Sequence, residues 1–220
     1  MRHELEILPD AGAVAARGAE LVVQIAGSAI AARGSFTLAV SGGTTPWAMF
    51  GRLRDAPMPW ERTVLFQVDE RIAPDGDEAR NLVALRAALA GAPADVRSMP
   101  VTDPDPEDAA AAYAGSLPER FDLAHLGLGD DGHTASLVPG DPVLAVADRL
   151  VALTGPYRGH RRMTLTYPAL ARAARVLWLV TGADKADPLA RLLAGDTSIP
   201  AGRVAAQRST ILADRAAAGP

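Results

Sequence analysis

The sequence contains no cysteine in its 220 residues. This absence excludes disulfide bonds, iron–sulfur clusters, thiolate zinc sites and a cysteine nucleophile. Lysine is almost absent as well, since Lys185 is the single lysine among 22 basic residues. The formal net charge is -4. No basic stripe runs along the chain, and we therefore expect no nucleic-acid partner.

Long hydrophobic runs are also lacking. Residues 1–10 include three acidic side chains and no apolar segment of the kind found in signal peptides. The longest apolar stretch, Leu21–Ala32, is short and diluted by alanine and glycine, so we do not expect it to span a membrane. A chain of this length can bury most of its apolar surface in one core. We expect a single domain over residues 1–220, located in the cytoplasm, as a monomer or a weak dimer.

Short β-like runs alternate with helical patterns along the chain. Strands are predicted at Phe36–Val40, Val64–Val68, Leu123–Leu128, Leu150–Leu153, Met163–Thr166, Val176–Thr181 and Val204–Ala206. Helices are predicted at Ala13–Arg33, Pro46–Arg54, Glu78–Ala90, Pro106–Leu117, Pro168–Ala173 and Lys185–Leu193. Apolar strands between helices are typical of a mainly parallel, Rossmann-like α/β sheet with helices on both faces. A small appended subdomain is compatible with this pattern.

Three predicted strands end in polar or glycine-rich loops: Ser41–Thr45, Asp69–Arg71 and Gly129–His133. In open parallel sheets, ligands bind beyond the carboxyl ends of the strands. The three loops therefore predict one binding site at that edge.

The first loop has the composition of a phosphate cradle. Gly42 and Gly43 allow the backbone to approach an anion, and the following helix offers free N–H groups. Ser41, Thr44 and Thr45 add hydroxyl donors. An ordinary strand-to-helix turn with a threonine cap is the alternative interpretation. The loop matches neither the Walker motif nor the dinucleotide-binding motif.

The second loop places Asp69, Glu70 and Arg71 directly after an apolar strand. Asp69 could orient a water or a sugar hydroxyl, and Arg71 could stabilise a developing oxyanion. A solvated ion pair at a strand end is the alternative, and it is favoured when this loop is considered alone.

The third loop contains His133, whose side chain suits proton transfer near neutral pH. Asp131 or Asp69 could fix the tautomer of its imidazole. Together with Asp130, these residues could also ligate a divalent ion. We favour metal-free chemistry, because the other nearby histidine, His125, lies inside a predicted strand and is expected in the core.

Arg162 and Lys185 follow the third loop and could neutralise a phosphate. Arg158, His160 and Arg161 are nearby in sequence. A solvated basic face is the expected role of Arg158 and Arg161.

Taken together, these segments resemble the 6-phosphogluconolactonase family over residues 36–214. The resemblance is carried by Ser41-Gly42-Gly43, Asp69-Glu70-Arg71, Gly127-x-Gly129-x-Asp131-Gly132-His133-Thr134-Ala135-Ser136-Leu137, Arg162-x-Thr164-Leu165-Thr166, Gly182-x-x-Lys185-Ala186 and Ile199-Pro200-Ala201. It implies a fold like that of glucosamine-6-phosphate deaminases. Those related enzymes carry an extra glutamate where this chain has Val138, and valine cannot transfer protons. The family usually has phenylalanine at that position and often a Pro-Lys-Pro-Pro-like stretch in place of residues 155–160.

The resemblance implies a phosphorylated sugar lactone as substrate, hydrolysed in the oxidative pentose phosphate pathway without cofactor or metal. On this interpretation, Ser41, Gly42, Gly43, Thr44, Arg162 and Lys185 bind the phosphate. His133 acts as general base, Asp131 or Asp69 orients it, and Arg71 stabilises the oxyanion. A deaminase-like enzyme and a non-catalytic sugar-phosphate-binding module are the alternatives. A fused DNA-binding helix-turn-helix is not expected, because the first predicted strand already begins at residue 36.

Overall fold

The computed structural model describes residues 3–219. Its main sheet has seven strands in the spatial order β1-β10-β9-β6-β2-β3-β5. Their bounds are His3–Leu8 (β1), Phe36–Val40 (β2), Thr63–Gln67 (β3), Asp95–Arg97 (β5), Leu123–Gly127 (β6), Arg175–Val180 (β9) and Arg208–Asp214 (β10). Every neighbouring pair in this sheet is parallel. The carboxyl ends of the strands consequently share one edge.

Helices cover both faces of this sheet. The helices are Ala11–Arg33 (α1), Thr44–Arg54 (α2), Asn81–Ala88 (α3), Pro106–Ser116 (α4), Tyr167–Leu170 (α5), Ala186–Leu193 (α6) and Arg215–Ala218 (α7). Side chains of α1, α2 and α3 form one hydrophobic cluster with the sheet. Those of α4, α5, α6 and α7 form a second cluster on the opposite face. This arrangement confirms the predicted fold class.

α1 has the length and apolar composition of a membrane-spanning helix. It buries seven residues, from Val14 to Ala29, in the cluster that covers the sheet. That burial is typical of a core helix in a globular protein.

A second, three-stranded antiparallel sheet lies beside the main one. Its order is β4-β8-β7, with β4 at Asp69–Arg71, β7 at Val151–Leu153 and β8 at Arg162–Leu165. Met163 and Leu165 of β8 belong to the same hydrophobic cluster as β9. The small sheet therefore shares a core with the large one.

The structure corrects several predicted elements. The predicted strand Val204–Ala206 is wrong: this segment follows a turn of 3-10 helix, and the last strand is Arg208–Asp214. Asp69–Arg71 is a strand of the small sheet and not a loop, because it pairs with β8. The strands His3–Leu8 and Asp95–Arg97 were not predicted.

Candidate active site

A cleft of about 420 Å³ lies at the carboxyl edge of the main sheet, at the ends of β2, β6 and β9. The predicted site residues that line it are Ser41, Gly42, Gly43, Thr44, Asp69, Arg71, His133, Arg162 and Lys185. The structure thus brings all of them together except Asp131, which contacts His133 from outside the lining.

One wall of the cleft is the glycine turn between β2 and α2. Gly43 caps the helix with a φ of 135°, a conformation that favours glycine. A side chain at Gly42 would place its Cβ 2.2 Å from Oδ1 of Asn81, so position 42 also requires glycine. The turn presents the N-terminus of an 11-residue helix to the cleft. Its free N–H groups and positive dipole end suit an anion.

His125 supports this turn from below. Its side chain is fully buried in β6, as expected for a core residue, and Nδ1 lies 3.4 Å from the Ser41 backbone nitrogen, from which it accepts a hydrogen bond. Burial lowers the pKa of His125 to about 3, so the imidazole is neutral near pH 7. A neutral ring can accept the Ser41 N–H and hold the start of the cradle.

His133 lines the same cleft as the turn and pairs with Asp131. Oδ1 of Asp131 is 2.5 Å from His133 Nδ1 and also accepts the His133 backbone N–H at 3.0 Å. The ring packs on Gly129, where an added Cβ would lie 2.0 Å from Nδ1. The imidazole retains 19% side-chain exposure. Since Nδ1 is occupied, Nε2 is the nitrogen left to act on a ligand.

Burial acts to raise the pKa of Asp131, but the surrounding hydrogen bonds outweigh it. The His133 backbone N–H, the imidazole and the Tyr157 hydroxyl together lower the pKa of Asp131 below its ordinary value. The carboxylate is therefore charged near neutral pH and can stabilise an imidazolium.

Asp69 has different partners. It is buried, and its Oδ2 accepts the Ser136 hydroxyl at 2.6 Å. Nη1 of Arg162 lies 3.9 Å from the same oxygen. Burial lowers the pKa of Arg162, and the Asp69 carboxylate opposes that shift. Of the two aspartates considered for His133, the structure places Asp131 on the ring.

Arg71 is held by α3. Its Nη1 donates to Asn81 Oδ1 at 2.6 Å and to the Ala79 carbonyl at 2.9 Å. Glu70 is fully buried and accepts the backbone N–H groups of Asn81 and Leu82, so it caps α3. Glu70 is thus a structural carboxylate that fixes Asn81 and, through it, Arg71.

The remaining basic residues divide into two groups. Lys185 lines the cleft from the turn before α6 and pairs with Asp184 at 2.8 Å. Arg158 and Asp130 also line the cleft; Arg158 is exposed and pairs with Asp130 at 3.1 Å. His160 and Arg161 do not line the cleft.

Three residues near the site were not predicted: Asn81, Ser136 and Tyr157. The Tyr157 hydroxyl donates to Asp131 Oδ2 at 3.2 Å. Ser136 lies three residues after His133 in the same motif, so its place in the sequence could have marked it as a site residue. Asn81 and Tyr157 reach their partners through tertiary contacts, which no local pattern marks.

One group within residues 3–219 has the spacing of a cation site, namely Asp130, Asp131 and His133. Their ligand atoms lie within 4.8 Å of one another. The Asp131–His133 hydrogen bond already uses one of these ring nitrogens, and we continue to favour metal-free chemistry.

The family model and the most similar curated proteins point to the same family. Residues 9–213 match the family described as Glucosamine-6-phosphate isomerases/6-phosphogluconolactonase. A protein from Nostoc named 6-phosphogluconolactonase is 36% identical over 208 residues, covering 88% of this chain and 86% of its own. One of the same name from Synechocystis is 40% identical over 181 residues, covering 76% and 75%.

Solved structures extend the likeness to the fold. The 6-phosphogluconolactonase of Thermotoga maritima has a TM-score of 0.88 at 27% identity, covering 97% of this chain and all of that one. A monomeric glucosamine-6-phosphate deaminase has a TM-score of 0.86 at 16% identity, covering 98% of each chain. At that identity, the second likeness concerns the fold alone.

Proposed function

Because the chain belongs to the family of glucosamine-6-phosphate isomerases and 6-phosphogluconolactonases, we propose that it hydrolyses 6-phospho-D-glucono-1,5-lactone. Water adds to C1, the bond between C1 and the ring oxygen breaks, and the products are 6-phosphogluconate and a proton. The reaction belongs to the oxidative pentose phosphate pathway. The proposed mechanism uses no cofactor and no metal.

The observation that carries the catalytic proposal is the position of His133. Its imidazole lines the same cleft as the glycine turn, and Asp131 holds Nδ1 at 2.5 Å. We assign Nε2 the role of general base on the attacking water. Asp131 keeps the ring in the tautomer that leaves Nε2 unprotonated and stabilises the imidazolium once the proton has moved. General-base catalysis of this kind contributes ~10²–10⁴-fold.

The phosphate end of the substrate is assigned to the glycine turn. The backbone N–H groups of Gly42, Gly43 and Thr44 would donate to the phosphate, with the Ser41 hydroxyl beside them. Ser41 Oγ is buried and has no hydrogen-bond partner within the described residues, so a ligand oxygen would satisfy it. Lys185 and Arg162 would supply positive charge, and anchoring this end would hold C1 near His133.

Arg71 is assigned to the oxyanion that forms when water adds to C1. Asn81 and the Ala79 carbonyl accept hydrogen bonds from Nη1 and fix the side chain, which lines the cleft. A donor fixed before the reaction stabilises developing charge without reorganisation. Asp69, which pairs with Ser136 and lies near Arg162, would keep Arg162 in place.

Deamination of glucosamine 6-phosphate is less well supported. Val138 is buried, with 8% exposure, at the position where deaminases carry a glutamate, and it offers no proton. Curated relatives at 35–40% identity are named lactonases.

We also propose a single domain over residues 1–220, a cytoplasmic location, and a monomer or weak dimer. The core shared by both sheets supports the single domain.

A lactonase assay tests the proposal. Lactone is supplied fresh, 6-phosphogluconate formation is followed continuously, and the spontaneous hydrolysis rate is subtracted. We expect the protein to accelerate the reaction well beyond the blank. Ammonia release from glucosamine 6-phosphate would instead indicate a deaminase, and phosphosugar binding without turnover would indicate a binding module.

A further inference from the structure

Tyr157 lies on a tight hairpin between β7 and β8. Its backbone N–H donates to the His160 carbonyl at 2.9 Å, and the His160 N–H returns a bond at 3.2 Å. The two residues between them, Arg158 and Gly159, have φ values of 48° and 85°. Two consecutive positive φ values define a type I′ turn, which suits the twist of antiparallel strands. The segment is therefore a defined hairpin.

The base of this hairpin is fixed as well. The Thr154 N–H donates to the Arg162 carbonyl at 2.9 Å, and the Gly155 N–H donates to Asp141 Oδ2, also at 2.9 Å. Tyr157 thus projects from an anchored element beside the cleft.

The two oxygens of Asp131 have separate partners. Oδ1 contacts His133 Nδ1 at 2.5 Å, and Oδ2 accepts the Tyr157 hydroxyl at 3.2 Å. Burial and then the negative charge of Asp131 raise the pKa of Tyr157, so the hydroxyl is protonated and donates. A carboxylate held at both oxygens cannot rotate away from the imidazole without losing a bond.

The aromatic ring makes further contacts. Its centroid is 5.5 Å from that of His133, at an interplanar angle of 66°. The guanidinium carbons of Arg158 and Arg162 each lie 5.2 Å from the ring centroid. The Tyr157 ring therefore contacts the imidazole and also binds two cations, Arg158 and Arg162, by cation–π contacts.

We propose that Tyr157 is a positioning residue that holds the Asp131–His133 pair in its working geometry. This inference rests on the proposed function, because it assigns Tyr157 to support of the proposed base. It concerns a stretch where the sequence departs from the usual family pattern.

The test compares Tyr157→Phe with Tyr167→Phe. The first variant removes the hydroxyl and keeps the ring. Tyr167 is a matched control, because its hydroxyl donates to the Pro200 carbonyl at 3.0 Å and it does not line the cleft. We expect Tyr157→Phe to lower kcat about three- to tenfold, the equivalent of one neutral hydrogen bond, with KM nearly unchanged. Tyr167→Phe should match the wild type in both constants.

The pH profile adds a readout that a merely structural role would not move. Asp130, Asp131, Tyr157, Arg158 and Arg162 are the titratable or charged groups around the imidazole, and Asp69, Arg71 and Lys185 also line the cleft. The hydrogen bond from the Tyr157 hydroxyl partly offsets the negative charge of the Asp131 carboxylate. In Tyr157→Phe this hydrogen bond is lost, and the Asp131 carboxylate then stabilises the His133 imidazolium more strongly. The acid limb of the kcat/KM profile should therefore move to higher pH.

An NMR measurement separates this inference from the proposed function. The Nδ1 proton of His133, identified by its loss in His133→Ala, should shift or broaden in Tyr157→Phe and not in Tyr167→Phe. If the wild type lacks lactonase activity, the function fails and this signal still decides the role of Tyr157. Unchanged kcat, pH profile and Nδ1 resonance in Tyr157→Phe would overturn the inference.

Discussion

The two edges of the main sheet carry two grooves of different character. The carboxyl-edge cleft has a volume of about 420 Å³, and a groove at the amino ends of β6, β9 and β10 has about 800 Å³. The larger groove is rich in arginine, and its arginines are Arg17, Arg33, Arg120, Arg175 and Arg208. By size and number of arginines alone, the amino-edge groove would be the better anion site.

The difference lies in how the polar groups are held. In the amino-edge groove, Arg17 pairs with Glu6 and Arg33 pairs with Asp122. Arg33 occupies the last turn of α1, where a cation complements the helix dipole. Arg175 and Arg208 lie side by side in register and are exposed. Arg17 and Arg33 are thus already paired with carboxylates of the fold, and Arg33 also stabilises a helix end.

The carboxyl-edge cleft instead collects a helix N-terminus, two glycines that allow close approach, and buried polar groups. Arg162 and Asp69 are 6% and 5% exposed. Such groups are costly to bury, and their convergence on one cavity marks a functional site more reliably than volume does. Matched variants at the two edges should therefore behave differently.

The largest effect is expected from His133→Ala. Removing the proposed base should lower kcat by ~10²–10⁴-fold while 6-phosphogluconate still binds. His3→Ala is the matched histidine change at the other edge, where His3 pairs with Ser209, and it should leave kcat within twofold. Steady-state kinetics and product titration measure both. Near-wild-type turnover of His133→Ala would remove His133 from the mechanism.

A methyl group at position 129 should displace the imidazole without removing it. The added Cβ would lie 2.0 Å from His133 Nδ1, so Gly129→Ala should cost ~10²-fold in kcat by misplacing the base. Gly27→Ala in α1 is the control, because no atom lies within 4 Å of its Cβ. Equal kcat in the two variants would show that the position of the ring does not matter.

Charge removal comes next. Lys185→Ala and Arg162→Ala should each weaken 6-phosphogluconate binding about tenfold or more, the value of a charge-assisted hydrogen bond. Arg175→Ala and Arg208→Ala in the other groove should have no effect. Calorimetric titration gives the affinities, and circular dichroism checks the folding of Arg162→Ala, which removes the cation beside the buried Asp69. If only the amino-edge variants weakened binding, the phosphate would bind at the amino edge and not on the glycine turn.

The buried histidine under the cradle should make stability depend on pH. The folded pKa of His125 is about 3 and its unfolded value is 6.5. Between these values the unfolded chain binds the extra proton, so the free energy of unfolding falls as pH drops, by ~1.4 kcal/mol per pH unit from this group. Between pH 7 and pH 5, the free energy of unfolding of His125→Leu should therefore fall by about 2 kcal/mol less than that of the wild type. Urea unfolding at the two pH values measures this difference.

The control for that titration is His3→Ala. Burial also lowers the pKa of His3, but the side chain is partly exposed, so the change should be smaller. Identical pH dependence in the wild type and His125→Leu would show that the imidazole is not buried in neutral form.

The smallest expected effect is that of chelation. Since His133 Nδ1 is already bonded to Asp131, treatment with a chelator should leave turnover unchanged. Complete loss that zinc restores would assign Asp130, Asp131 and His133 to a metal site.

The same contrast between the edges explains what the sequence could predict. Glycine-rich strand ends and buried apolar strands are local patterns, and they located the parallel sheet and nearly the whole cleft lining. β1 was not predicted because it lacks the buried apolar run of the other strands: it lies at the edge of the sheet, and its Leu5 and Ile7 remain exposed. The predicted strand at Val204–Ala206 was wrong because Val204 is buried by packing after a turn.

The hydrogen-bond partners of the site side chains were harder to predict than the location of the site. Sequence alone left Asp69 and Asp131 as equal candidates to orient His133, since both follow strands that end at the same edge. Only the tertiary structure shows Asp69 bonded to Ser136, 67 positions away. Tyr157 contacts Asp131 across 26 positions through a hairpin that diverges from the family pattern.

A crystal structure with bound 6-phosphogluconate tests the central claim most directly. We expect the phosphate on the Gly42–Thr44 turn beside Lys185, with the carboxylate carbon derived from C1 close enough to His133 Nε2 for one water molecule to lie between them. A phosphate bound in the arginine-rich groove at the amino edge, or a sugar carboxylate remote from His133, would contradict it.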